Sequence, residues 1–141
     1  MIDVPDADVA SLSADDAVSV TVTDELGRVD VARYAGASGN FNPLHVDEVY
    51  AREAGHDSVI AHGMFVCGYA AQVITGWLEG DCIERLDVRF VSPAMPGDAV
   101  VVDCEVTDDE NGDEGAKRVA VTVVDGDGAS FAEGTASVDS G

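Results

Sequence analysis

The sequence predicts an α+β protein: a strongly curved, five-stranded antiparallel sheet wrapped around one long central helix. Three observations point there. Residues 63–78 carry no charge, and Gln72 and Thr75 are their only clearly polar members; a helix there is apolar nearly all round and needs cover on most sides. After residue 80 the hydrophobic pattern changes to period two and recurs in four stretches. The stretch VSVTVT, 18–23, alternates and is rich in β-branched residues, as a strand requires. A single curved antiparallel sheet is the economical cover for one buried helix.

Taken in order, residues 1–16 are expected to form a loose acidic leader and 17–139 one domain, long enough for a hydrophobic core. After the strand at 18–23, Thr23 or Asp24 opens a turn through Gly27, and 29–36 suggests a short helix with Asp30 near its positive end. Asn42-Pro43 is expected to break regular structure. Asp47 can cap a second short helix that stops at Gly55. The apolar helix, 62–78, is too short and too interrupted by small residues for a good membrane span. Strands follow at 83–93, with one irregularity near Arg85, and at 99–107, 116–126 and 129–138. The acidic run 108–115 and the Asp125-Gly126-Asp127-Gly128 stretch supply turns. A five-stranded sheet leaves open edges that pairing of subunits would protect, so a homodimer or dimer of dimers is expected.

Charge narrows the function classes. Twenty-eight acidic residues face seven basic ones, a formal net charge of -21, and Lys117 is the only lysine. Such a field repels nucleic acids and anionic membranes, so neither is expected as a partner. The acids are dispersed among ordinary apolar runs, the pattern of a halophilic protein in a salt-loaded cytosol, where self-repulsion is screened. The first sixteen residues lack the basic and apolar regions of a secretory signal, and cytoplasmic localisation is expected. Cys67, Cys82 and Cys104 are an odd number without CxxC spacing, which suggests buried thiols in a reducing compartment.

The chemistry concentrates in the loop Ser38-Gly39-Asn40-Phe41-Asn42-Pro43-Leu44-His45 and in Ala61-His62-Gly63-Met64 at the head of the long helix. His45 is the natural general base, with a side chain that titrates near neutrality, and Asn42 and Pro43 would fix its approach. The backbone N–H of Gly63, at the positive end of the helix, is placed to bind an oxygen that gathers negative charge. His62 is expected to cap or pack beside the substrate, and Met64, Tyr69 and Trp77 to line a core or tunnel. His56 reads as a surface residue. Three histidines without ligand spacing give no metal site.

These two motifs resemble the MaoC-type, or hydratase-2, branch of the hot-dog superfamily, whose pattern is approximately S-G-D-x-N-P-[IL]-H followed by A-H-G-M. The resemblance covers about residues 18–138. It implies a hot-dog fold and hydration of trans-2-enoyl thioesters, with coenzyme A as part of the substrate and no other cofactor, or the reverse dehydration. It also implies that the Gly63 N–H polarises the thioester carbonyl, and that the product is the (R)-3-hydroxyacyl thioester. The chain departs from the pattern at Asn40, where the family has aspartate. An amide can hold a water but cannot exchange a proton at neutral pH. Three alternatives follow: His45 acts alone, Asp47 stands in, or the chain is an acyl-thioester-binding subunit with little turnover. A serine that some relatives carry in the helix is absent around Ala71. A hot-dog thioesterase is a further alternative, against which residues 63–78 contain no carboxylate. For the phosphates of coenzyme A the candidate cations are Arg89, Arg85, Lys117 and Arg118; ion pairing with the abundant acids is their competing role.

Overall fold

The computed structural model describes residues 16–78, 83–107 and 116–139. Strand β1 (Ala17–Thr23) leads into helix α1 (Arg28–Ser38), two short helices α2 (Pro43–Val46) and α3 (Glu48–Glu53), and the long helix α4 (Gly63–Leu78). Four strands complete the chain: β2 (Ile83–Phe90), β3 (Val100–Thr107), β4 (Ala116–Val124) and β5 (Ser130–Asp139). They form one sheet in the order β1-β3-β4-β5-β2, with every neighbouring pair antiparallel. This is the hot-dog arrangement expected from the sequence, with β1 and β2 at the edges.

Alternation builds the inner face. On β3, Val100, Val102, Cys104 and Val106 are buried; on β4, Val119, Val121 and Val123; on β5, Ala136 and Val138. They close over Val66, Ala70, Val73, Ile74 and Trp77 of α4 in one core cluster. Each large side chain so buried contributes about 1.5–3 kcal/mol, which is why a helix with no polar stripe settles here. No helix among the described residues is long and apolar enough to cross a membrane.

The irregularity expected near Arg85 is present as a register shift between Ile83 and Arg85 in the β2–β5 pairing. Strand β2 is shorter than the predicted 83–93. The N–H groups of Val91 and Ser92 both turn to the Phe131 carbonyl, at 2.8 and 3.3 Å, and Pro93 has no N–H to continue a ladder. Strand β4 stops at Val124, because the Asp125 carboxylate accepts from the N–H groups of Asp127 and Ala129 and closes the hairpin turn. Helix α1 runs on to Ser38 and ends at Gly39, whose φ of 73° is the left-handed C-terminal stop.

One expectation is corrected. Asn42-Pro43 starts regular structure: Pro43 is the first residue of α2, where its fixed φ suits a helix and its missing N–H is not needed. Asp47 caps α3 as expected, accepting from the Tyr50 N–H at 3.2 Å. Cys104 is buried and Cys67 half-buried, while Cys82 lies outside the described residues, as do residues 1–15 of the expected leader and the turn 108–115.

Candidate active site

The segment that carries His45 is shaped by three successive bonds from a backbone N–H to the side chain two residues earlier. Ser38 Oγ accepts from Asn40 N–H at 3.2 Å, Asn40 Oδ1 from Asn42 N–H at 3.2 Å, and Asn42 Oδ1 from Leu44 N–H at 3.0 Å. Short side chains with a carbonyl or hydroxyl oxygen do this readily. The bonds settle the orientation of both amides. Because Asn40 Oδ1 faces its own backbone, its free end is the NH₂ group, a donor.

His45 sits on the single turn of α2. Its Nδ1 lies 2.7 Å from the Ile60 carbonyl. A carbonyl only accepts, so the neutral ring carries its proton on Nδ1 and leaves a lone pair on Nε2. Leu44 and Ile60 also pair through the backbone, Ile60 N–H to Leu44 O at 2.9 Å. That contact docks α2 against the segment leading into α4.

Two residues after Ile60, His62 is buried, with 2% of its surface exposed. Its Nε2–H donates to the Asn40 carbonyl at 2.9 Å, and its ring stacks on that of His45 with centroids 3.7 Å apart and planes 20° apart. Tyr34 of α1 covers it from another side at 4.8 Å. Burial pulls the His62 pKa below its ordinary value; the Asn40 bond works against this, and the nearby His45 ring adds to it.

Gly63 is the first residue of α4, and its N–H and that of Met64 have no intrahelical partner by position; among the described residues no acceptor bonds either. The ring of Phe90, at the end of β2, lies directly over Gly63, so that an added Cβ would come within 2.9 to 3.1 Å of three ring carbons. Two cavities meet there, both walled by His45, Gly63 and Phe90. One, of about 370 Å³, is also lined by Tyr34, Ser38, Asn40, His62 and Met64. The other, of about 310 Å³, is lined largely by apolar side chains, among them Ile60, Val66, Val91, Pro93 and Phe131.

The structure thus brings Asn40, His45, His62, Gly63 and Met64 to one cavity. Asn42 and Pro43 act one step back, as cap and first residue of α2. Arg89 is not brought in: its side chain, 79% exposed, pairs with Glu133 at 3.2 Å, on the face of β2 opposite Phe90. Arg85 pairs with Asp87 at 2.7 Å. Asp47 is held at the α3 cap and lines neither cavity. Trp77 lies in the core and His56 is half-buried. Among the described residues no three His, Cys, Asp or Glu side chains converge as metal ligands. Phe90 and Tyr34 carry no mark of this placement in the sequence; the seat of Phe90 on Gly63 joins the end of β2 to the head of α4.

A hot-dog sheet around one helix, with an imidazole and a helix N-terminus opening on the same cavity, defines the class. Within it, residues 10–127 match the MaoC like domain, and the chain belongs to that family. The (R)-specific enoyl-CoA hydratase of Aeromonas caviae is 33% identical over 85 residues, 57% of this chain and 62% of that protein. The mitochondrial 3-hydroxyacyl-acyl-carrier-protein dehydratase of Arabidopsis thaliana is 33% identical over 72 residues, 51% of this chain and 43% of that protein. Both matches span less than two thirds of the relative's own length. The unliganded R-hydratase of Pseudomonas aeruginosa superposes with a TM-score of 0.84 at 26% identity, covering 95% of this chain and 85% of that one. The (R)-hydratase of A. caviae involved in PHA biosynthesis superposes at 0.82 and 25%, covering 92% and 97%.

Proposed function

We propose that this chain adds water to trans-2-enoyl thioesters, giving 3-hydroxyacyl thioesters, or runs the reverse dehydration, with His45 as its single acid–base group. The observation that carries this is the His45 ring. Its Nδ1–H is held by the Ile60 carbonyl, which leaves a basic Nε2 beside the unpartnered N–H groups at the start of α4. Nε2 takes a proton from water as the water oxygen bonds to C3. The double-bond electrons move toward the thioester oxygen, where the Gly63 N–H holds the charge. The imidazolium then returns its proton to C2, so that H and OH have been added across the double bond. The Asn40 NH₂ donates a hydrogen bond to the water or hydroxyl oxygen and takes no part in proton transfer.

The A. caviae and P. aeruginosa hydratases support the substrate class, and the Arabidopsis dehydratase keeps the acyl-carrier-protein thioester alongside coenzyme A. A carrier protein that is itself acidic would be repelled by a charge of -21, which favours coenzyme A. No other cofactor is invoked. A homodimer or dimer of dimers is supported by the two sheet edges and by the exposed Phe41, Val46, Tyr50 and Met64. The acidic surface supports a cytoplasmic, salt-adapted enzyme whose activity rises with potassium chloride.

Hydration of crotonyl-CoA in molar salt tests the reading. Wild type turns over, and His45→Ala loses at least a hundredfold; absence of turnover in folded wild-type protein sinks it. A second reading, a thioester-binding subunit with little turnover, is favoured by one observation, the amide at position 40. Asn40→Asp separates the two. A gain of about 10²–10⁴ from a low baseline supports the binding subunit, and no gain from a fast baseline supports the one-base enzyme.

A further inference from the structure

We propose that His62 is a positioning residue: a stacked spacer that sets the His45 ring and the Asn40 backbone relative to one another and backs the charge His45 acquires during turnover. This deepens the one-base reading above and rests on it for its catalytic meaning. Three observations lead here. The His62 ring touches both elements at once, by its Nε2–H bond to the Asn40 carbonyl at 2.9 Å and by its face on His45 at 3.7 Å. It is held tightly, being buried and covered by Tyr34. And its Nδ1 is a buried atom without a hydrogen-bond partner among the described residues, a state that polar groups in folded proteins rarely adopt without reason.

The unpartnered atom has a definite meaning. Nε2 faces a carbonyl, so it carries the ring proton and Nδ1 carries a lone pair. Charging His62 would place a new N–H where nothing accepts it and a cation against the face of His45. The titratable groups that face His62 are His45 from α2 and Tyr34 from α1; among the described residues no carboxylate acts on it. The His62 ring is therefore biased toward its neutral form. Its π face lies against His45, where it meets the positive charge that ring acquires on taking a proton. In a site whose position 40 is an amide, that support is not supplied by a carboxylate there.

Two variants divide the functions. His62→Phe keeps an aromatic face and loses the bond to Asn40; His62→Gln keeps an amide donor for Asn40 and loses the face. Both are expected to lower kcat about 10- to 100-fold with KM within about threefold. Only His62→Gln is expected to move the acidic limb of the pH–rate profile, downward. Histidine NMR reads the same geometry without turnover, and with three histidines in the chain the spectrum is simple. In wild type His62 should be the Nε2–H tautomer and stay neutral through the range in which His45 titrates, and the His45 midpoint should fall in His62→Gln but not in His62→Phe. If His62 titrates as an ordinary imidazole, or if both variants keep wild-type kcat and the His45 midpoint, the proposal is overturned. Wild type inactive on enoyl thioesters, with the NMR pattern as described, would sink the hydratase reading and leave the spacer geometry standing. Should the variants not fold, the wild-type tautomer and titration decide.

Discussion

Replacing Gly63 by alanine separates the stability of the fold from the use of its helix terminus. The added methyl would lie 2.9 Å from Phe90 Cζ and 3.0 and 3.1 Å from its two Cε atoms. Ordinary carbon contacts lie at about 3.5–4.0 Å, so the ring must retreat by about 0.5–1 Å. Phe90 is 51% exposed at the end of an edge strand, and such a shift costs about 0.5–1.5 kcal/mol. Alanine returns up to about 0.5–1 kcal/mol of helical preference. The net effect on stability is within about 1 kcal/mol, or about 4 °C in Tm for a chain of this size. Activity should fare differently. The methyl and the displaced Phe90 ring both intrude on the cavities that Gly63 and Phe90 line, and misplacing a substrate by about 1 Å costs about 10² in rate. Thermal melts and crotonyl-CoA hydration on the same preparations check both halves. Gly63→Ala that stays within threefold of wild type in kcat refutes the placing of substrate against Gly63. A Tm loss beyond 10 °C refutes the claim that Phe90 can give way.

Three further outcomes are expected. Gly134→Ala should destabilise by about 3 kcal/mol, seen as a Tm loss of about 10 °C, because a Cβ there overlaps the Asp87 carbonyl across the β2–β5 pairing and lies 3.0 Å from Val88 Cα, backbone that cannot swing aside. Acid should weaken the fold through His62. Its folded pKa lies below the unfolded value of about 6.5, so the unfolded chain binds the extra proton; the stability is full above about 6.5 and lost as pH falls through the folded value. The difference in denaturation midpoint between wild type and His62→Phe should therefore shrink between pH 7 and 5. Cys104, whose thiol is pushed up to about 12 by burial and then by Asp103, should resist alkylation at pH 8 in the native protein and react once denatured, as mass spectrometry of its peptide would show.

The layers of the fold were legible because two periodicities cannot be confused over this length. An uncharged stretch of sixteen residues has to be covered, and four runs alternating every second residue supply the cover. Helix α2 is not legible from Asn42-Pro43 alone, because that pair suits a breaker as well as a helix start; here the capping asparagine one position earlier makes Pro43 the start. The end of β2 is hard to read because Val91 continues the hydrophobic pattern and still bonds Phe131 of β5; the ladder ends only at Ser92, whose N–H turns to that same carbonyl, and at Pro93. Within the site, Asn40, His45 and Gly63 were readable from residue type and order. The stack of His62 on His45 was not. It depends on the Leu44–Ile60 backbone contact that brings residues seventeen positions apart face to face, and backbone pairing between irregular segments leaves no mark on residue type.

From Ser38 to Val46 the chain contains no acidic residue, lysine or arginine, and its bends are held by hydroxyl and amide oxygens on neighbouring N–H groups. Ion pairs elsewhere, such as Arg28 with Glu48 between α1 and α3 at 2.6 Å, weaken as ions crowd around them. The bends that aim His45 involve no such pair. Across a wide range of ionic strength the outer surface of this very acidic molecule changes its electrostatic balance, while His45 keeps its aim.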